Sequence, residues 1–269
     1  MQLELETAVA VAQFAPTDDA ESNRAAVDRL TRLAAARGAR LVVFPEYSSF
    51  FMPELGQASV DAAEPLDGVF ASALAGLAAE LGIHLVAGML ERAEGGRAYN
   101  TAVALAPTGD VVARYRKLHL YDAFGQKESD WIAAGELDHP QTFLVDELTV
   151  ALQTCYDLRF PEVSRRLVDA GADVIAVPSE WVRGPLKEHH WRTLVTARAL
   201  ENTVFVAAAD HAPPIGVGNS MIVDPMGVEL ATIGETTDVA LAYLSKRRIE
   251  AVRAVNPALA LRRFEVRPR

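Results

Sequence analysis

Apolar residues in this chain are arranged in two ways, as short unbroken runs and as positions three and four apart. The runs are rich in Val, Leu and Ala. They predict strands at 7–14, 40–44, 84–89, 101–106, 111–115, 149–154, 173–177, 204–208, 220–223 and 239–244. The spaced pattern predicts helices at 19–36, 70–81, 161–170 and 184–202. The first helix would share Ala26, Leu30, Leu33 and Ala34 on one face, and the last would share Leu186, Leu194, Ala197 and Leu200. Gly38, Gly82 and Gly171 fall where helices should stop, because glycine takes the left-handed cap at little cost.

Strands alternating with helices predict an α/β protein. Several strands are apolar throughout, which suits burial on both faces. The runs 101–106 and 111–115 are joined by Pro107-Thr108-Gly109-Asp110, a turn sequence, so hairpins accompany the helical crossovers and the sheet should be mixed. A faint repeat links Val9–Phe14, a helix and Gly38–Pro45 to Val150–Cys155, a helix and Gly171–Pro178. Two similar β-α-β units would make two similar halves of one layered body, although any two such units look alike.

Length and composition narrow the class. The 269 residues, half of them apolar and 23% charged, describe an ordinary globular chain long enough for a large core. No apolar run reaches the roughly 20 residues needed to span a bilayer, and the acidic start Met1-Gln2-Leu3-Glu4-Leu5-Glu6 lacks the basic head of a secretory signal. The expected location is the cytoplasm. A formal charge of −10 argues against nucleic-acid or anionic-membrane partners. The exception is residues 246–269, which carry Lys246, Arg247, Arg248, Arg253, Arg262, Arg263, Arg267 and Arg269. They read as a solvated basic extension beyond a domain spanning residues 1–245, or as a subunit contact. One cysteine excludes an intrachain disulfide framework.

That cysteine is the first candidate for chemistry. Cys155 ends the strand at 149–154, just before a helix, and ligands of open α/β sheets gather beyond the carboxyl ends of strands. Nearby helix amides favour a thiolate and can hold an oxyanion. Glu46 follows another buried strand, between Pro45 and Tyr47, where burial should raise its pKa toward that of a working general base. Lys117 follows the strand at 111–115 and shares a face with His119; a buried ammonium there would stabilise developing negative charge. Each signal is weak alone, since lone cysteines, loop glutamates and edge lysines are commonly inert. Together they supply a nucleophile, a base and an electrophilic clamp, the parts of an acyl-transfer site.

The segments Val43-Phe44-Pro45-Glu46, Tyr115-Arg116-Lys117-Leu118-His119 and Cys155-Tyr156-Asp157-Leu158-Arg159-Phe160-Pro161-Glu162 resemble the signatures of the carbon–nitrogen hydrolase (nitrilase) superfamily. Tyr99-Asn100-Thr101, Lys127-Glu128-Ser129, His190-Trp191, Ala197–Asn202 and Gly218-Asn219-Ser220 add to the match. The resemblance implies a four-layer α-β-β-α sandwich with two mixed sheets, assembled as a homodimer or larger. It implies Glu46 as base, Lys117 as stabiliser, Cys155 as nucleophile, Glu128 as a second glutamate of the site, and the Tyr156 N–H in the oxyanion hole. No metal or organic cofactor is implied. Tyr156-Asp157 after the cysteine, where true nitrilases carry Trp-Glu, is similar to the branch of omega-amidases and deaminated-glutathione amidases. The expected activity is hydrolysis of a small-molecule amide through a cysteine thioester. A carbamoyl-amine hydrolase and a nitrilase of the same superfamily are the alternatives.

Arg159, Arg183 and His190 are candidates to meet a substrate carboxylate, and Trp181 to line the substrate site. Three rival readings predict different partners. A papain-like enzyme would use His119 or His190 with Cys155, yet no papain-type motif surrounds the thiol. A metal enzyme lacks HExxH and a cysteine cluster. A silent scaffold on the same fold would leave Cys155 without turnover.

Overall fold

A computed structural model describes residues 6–268. Residues 1–5, most of the acidic start, and Arg269 of the basic stretch lie outside the described residues. In chain order the elements are β1 (Thr7–Gln13), α1 (Ala20–Ala36), β2 (Leu41–Val43), α2 (Gln57–Asp61), α3 (Val69–Leu81), β3 (His84–Arg92), β4 (Ala98–Leu105) and β5 (Val111–Arg116). There follow β6 (Ile132–Ala133), β7 (Thr142–Val145), β8 (Leu148–Leu152), α4 (Pro161–Asp169), β9 (Val174–Pro178), α5 (Lys187–Asn202), β10 (Phe205–Ala209), β11 (Met221–Val223), β12 (Glu229–Thr232), β13 (Asp238–Leu244) and α6 (Lys246–Val255).

The strands form two sheets. One has the order β13-β1-β2-β3-β4-β5 with β6 paired to β4, and the other the order β12-β11-β10-β9-β8-β7. In the first, β1, β2 and β3 are parallel and their outer neighbours antiparallel. In the second, β8, β9 and β10 are parallel and again flanked by antiparallel strands. The repeat in the sequence is therefore a repeat of topology, one β-α-β unit per sheet. Even the entry bonds match, with the Arg40 N–H on the Ala8 carbonyl and the Asp173 N–H on the Thr149 carbonyl.

The two-residue period of a strand sorts side chains into layers. Val9 and Val11 point into a core between the sheets, while Ala10 and Ala12 face the layer of α1 and α3. In the second sheet Val174 and Ala176 enter the inter-sheet core, while Ile175 and Val177 meet the helical layer containing Trp191 and Val195. The result is a four-layer α-β-β-α sandwich of two mixed sheets. Asp19 caps α1 by accepting from the Glu21 and Ser22 N–H groups, and Gly82 ends α3 in the left-handed conformation.

Several details depart from the sequence-based expectation. The strands β6, β7 and β12 are short or at sheet edges, and the Glu229–Thr232 run is mostly exposed, so none carries a strong apolar signal. The helix expected at 184–202 begins at Lys187, because Pro185 disfavours helical backbone at Gly184 and Leu186 is left-handed. Its expected leucine face is also wrong. Leu186 and Leu200 are 70% and 44% exposed, and the buried side carries Trp191, Val195, Arg198, Ala199 and Asn202. Polar residues sit there because their donors find partners inside the fold, Arg198 on the Leu158 carbonyl and Asn202 Nδ2 on the Arg198 carbonyl. The first half of the basic C-terminal stretch is not a solvated tail. It forms α6, which buries Ile249 and Val252 and pairs Arg248 with Asp224 at 2.6 Å.

Candidate active site

Glu46 lies just beyond β2, where Pro45 ends the strand. Its backbone is pinned to the other sheet by its N–H on the Ser179 carbonyl and by His211, whose Nε2 stands 2.6 Å from the Glu46 carbonyl. Gly88 of β3 makes this possible, since a Cβ there would stand 2.5 Å from the Glu46 Cα. Lys117 follows β5, its N–H still on the β4 ladder at the Asn100 carbonyl. Glu128 opens a one-turn helix, Glu128–Asp130. Cys155 opens another, Cys155–Arg159, with Gln153 and Thr154 between it and the end of β8. It is left-handed, with φ of 43°, a strained conformation for a residue other than glycine and one associated with functional sites.

These side chains meet in one cavity of about 580 Å³. The Lys117 Nζ donates to Glu46 Oε1 and to Glu128 Oε2, both at 2.9 Å. Asn100 Nδ2 donates to Glu46 at 2.6 Å and to Glu128 at 3.0 Å. The second Glu46 oxygen accepts from the Glu180 N–H at 2.6 Å. Glu128 also accepts from the Tyr47 hydroxyl and the Tyr121 N–H. The Cys155 thiol faces this network and donates to the Glu180 carbonyl at 3.3 Å.

Asp157 fixes the thiol turn against the lysine strand. This fully buried carboxyl accepts from the Tyr115 hydroxyl at 2.7 Å, from the His119 N–H, and bonds the His119 ring at 2.7 Å. Tyr115 and His119 lie two residues either side of Lys117, so one side chain sets the position of Cys155 relative to the ammonium.

Electrostatics give the four groups different states. Burial, aided by the Glu128 charge, pushes the Glu46 carboxyl above its ordinary value despite Lys117. Burial acts on Glu128 too, but Lys117, Asn100, the Tyr121 N–H and Tyr47 outweigh it and hold that carboxyl low. Burial opposes the Lys117 ammonium, yet Glu128 and Glu46 keep its pKa well above the usual lysine range. Burial and the Glu46 charge push the Cys155 thiol well up, so at neutral pH it is a thiol that needs a base.

The remaining expected residues are less close to the thiol. Tyr156, Arg159 and Trp181 line a small recess adjoining Cys155. His190 lines neither cavity and stands 3.4 Å from the Arg159 guanidinium, so it acts on the recess only through Arg159. Arg183 turns away to pair with Glu235 at 2.7 Å. His119 is occupied by Asp157 and stacks on Phe160, which leaves no Cys-His pair of the papain kind. Sequence reasoning missed Tyr47, Glu180 and Lys187. No position in the repeat signals Glu180, since Glu46 corresponds to Ser179, one residue earlier. Among the described residues no cluster of three or more His, Cys, Asp or Glu side chains could hold a metal, and no helix is long and apolar enough to cross a membrane.

Residues 8–254 match the family model described as carbon-nitrogen hydrolase. The chain is 40% identical over 256 residues to the deaminated glutathione amidase of Escherichia coli O157:H7, covering 95% of this chain and 97% of that one. It is 34% identical over 269 residues to the deaminated glutathione amidase of Synechocystis, covering 95% and 97%. Among solved structures, an amidase from Nesterenkonia superposes with a TM-score of 0.77 at 27% identity, over 95% of this chain and 96% of that one. The NitFhit protein of C. elegans superposes with a TM-score of 0.86 at 29% identity over 97% of this chain, which spans 66% of that longer protein.

Proposed function

The chain belongs to the carbon–nitrogen hydrolase family and cleaves amide C–N bonds, and from that premise we propose that Cys155 is its nucleophile, Glu46 its general base and Lys117 its oxyanion cation. The observation that carries this reading is Lys117 held between Glu46 and Glu128 in the cavity that Cys155 faces.

The cycle follows from the protonation states. Glu46 takes the thiol proton as Cys155 Sγ attacks the amide carbon, and the carbonyl π electrons move onto oxygen. Lys117 and the Tyr156 N–H stabilise that oxyanion. The C–N bond breaks as Glu46 returns the proton to the departing ammonia or amine, leaving a thioester on Cys155. Glu46 then takes a proton from water, whose oxygen attacks the thioester, and the thiol regains its proton as the acid product leaves. Glu128, held ionised, keeps Lys117 charged and in place.

Arg159 and Trp181 form the substrate side, with His190 positioning Arg159. The relatives' name makes deaminated glutathione the first substrate to test. The single cysteine works as a free thiol, which suits the reducing cytoplasm. The exposed apolar side chains Leu200, Val228, Leu230 and Tyr243 support a homodimer or larger assembly.

The test is intact-protein mass spectrometry during turnover of an amide. A hydroxylamine-sensitive acyl adduct on Cys155 is expected, and Glu46→Gln should lower kcat/KM by roughly 10²–10⁴. Wild-type kcat/KM should also fall on acidification from a pH above the ordinary carboxylate range, as Glu46 protonates. Turnover that survives Cys155→Ala would overturn the assignment.

A further inference from the structure

Asn100 touches three of the four groups of the site and lines neither cavity. It stands in β4, opposite Leu90 of β3, and is 1% exposed. Its carbonyl accepts the Lys117 N–H at 2.9 Å. Its Nδ2 donates to Glu46 Oε1 at 2.6 Å and to Glu128 Oε1 at 3.0 Å. One residue therefore ties together the lysine backbone, the base and the second glutamate. Its own Oδ1 is buried without a hydrogen-bond partner. Turning the amide over would aim that oxygen at two carboxylates, so the glutamates dictate its orientation. A buried acceptor left unmatched is costly, and such a cost calls for a functional reason.

The acceptor positions of Glu46 are filled unequally. Each carboxylate oxygen offers two. Oε1 fills both, with Lys117 Nζ at 2.9 Å and Asn100 Nδ2 at 2.6 Å. Oε2 fills one, with the Glu180 N–H at 2.6 Å. The same residue, Glu180, accepts the Cys155 thiol at its carbonyl, 3.3 Å from Sγ. The open position on the base is thus on the oxygen whose partner also holds the thiol. Charge matters as well. Glu46 and Glu128 share one ammonium, and a second cation between them would hold both carboxyls low and weaken the base. Asn100 supplies a donor without a charge. It moderates the rise that burial imposes on Glu46 and still leaves that carboxyl above its ordinary value.

We propose that Asn100 is a positioning residue of the hydrolysis, locking Glu46 Oε1 beside Lys117 and Glu128 so that Oε2 takes the thiol proton. In that step the Sγ–H bond breaks, the proton bonds to Oε2, and the sulfur electron pair forms the bond to the amide carbon. The proposal rests on the reading of Glu46 as the base.

The test is the pH profile of kcat/KM for wild type and Asn100→Leu. Without this donor Glu46 holds its proton more tightly, so the acid limb should move up by about one pH unit. The loss in kcat/KM should be roughly 10–100-fold below the limb and narrow toward alkaline pH. It should fall on kcat with KM nearly unchanged, because Asn100 does not meet the substrate. A uniform loss at every pH with the limb unmoved is the result of a merely structural role and would overturn the proposal. A measurement on wild type carries the test where the buried substitution fails to fold. Of the five asparagines, Asn100 is the one whose side-chain amide donates to carboxylates among the described residues. In protein labelled with ¹⁵N-asparagine, one side-chain amide pair should therefore shift with pH at the midpoint of the acid limb. The absence of such a pair would also overturn the proposal. Intact turnover in Glu46→Gln refutes the base assignment itself, a failure that neither measurement on Asn100 imitates.

Discussion

The unit β1-α1-β2-β3 and the unit β8-α4-β9-β10 share one framework, and their strand ends differ. Counting from the paired residues, Phe14 in the first unit corresponds to Cys155 in the second, and Pro45 to Pro178. By the same count Met89 and Leu90 correspond to Asp210 and His211. Phe14 is 3% exposed and packs edge-on against Phe44 with ring centres 6.4 Å apart. Cys155 occupies the matching place on a strained turn facing a cavity. Met89 and Leu90 are buried hydrocarbon, whereas Asp210 binds the Trp181 N–H and His211 binds the Glu46 carbonyl. The first unit closes its strand ends with packing and lends one carboxylate. The second leaves its ends polar and supplies the thiol. The frame is duplicated and the chemistry is not.

The largest effect expected from this contrast is a double dissociation at the matched pair. Cys155→Ala should lower turnover by roughly 10⁴-fold or more while leaving stability nearly unchanged, because it removes the nucleophile and little volume. Phe14→Ala should do the reverse, costing about 3–5 kcal/mol of unfolding free energy through the cavity it leaves. Its kcat under folded conditions should stay within a few-fold of wild type. Denaturant titration and steady-state kinetics on the two variants check both halves. Comparable loss of kcat in the folded Phe14 variant would show that the packed end of β1 is itself part of the chemistry.

The same contrast explains what the sequence made legible. Parallel strands buried on both faces, such as β8 (Leu148–Leu152) and β2 (Leu41–Val43), stand out as apolar runs, and so do the helices capped by Asp19 and Gly82. Glu46 and Cys155 were readable because each closely follows such a run, and Lys117 because it follows the more exposed strand β5. Glu180 and Lys187 were not, because they sit on and directly after an irregular stretch between β9 and α5 whose course depends on Pro185 and on tertiary bonds such as Trp181 Nε1 to the Lys187 carbonyl. The buried face of α5 was misread because Arg198 and the Asn202 Nδ2 bond to carbonyls inside the fold, which no hydrophobic period records. Asp157 looked like part of a signature. Its role as the bolt between two distant strands requires coordinates.

A smaller effect should separate the two units by pH. Burial drives the His211 pKa down to about 4 from 6.5, so the imidazole is neutral in the folded state. The unfolded chain then binds the proton first. Stability from this residue is full above pH 6.5 and is lost as the pH falls toward 4, by about 3 kcal/mol in all. Glu46, Glu180 and Asp210, whose carboxyls are raised, act with the opposite sign, losing stability as pH rises through their folded values. The difference between wild type and His211→Gln isolates the histidine. The variant keeps a donor for the Glu46 carbonyl and cannot titrate, so its urea midpoint should fall less between pH 6.5 and 4. Parallel curves for the two proteins would refute this assignment.

The smallest effect concerns the bolt itself. Tyr115→Phe removes the hydroxyl that donates to Asp157 and keeps the ring that packs on the inter-sheet core. Asp157 retains the His119 N–H, the His119 ring and the Thr154 N–H, so the turn should not collapse. The expected cost is one buried hydrogen bond, about 1 kcal/mol in denaturant titration. The catalytic consequence is more telling than the stability change. If Asp157 positions Cys155 against Lys117, loosening one of its anchors should lower kcat severalfold with little change in KM, because the substrate recess is untouched while the thiol is less well aimed. A change in stability with kcat intact would mean that the remaining anchors alone hold the second unit's thiol in register with the ammonium that follows β5.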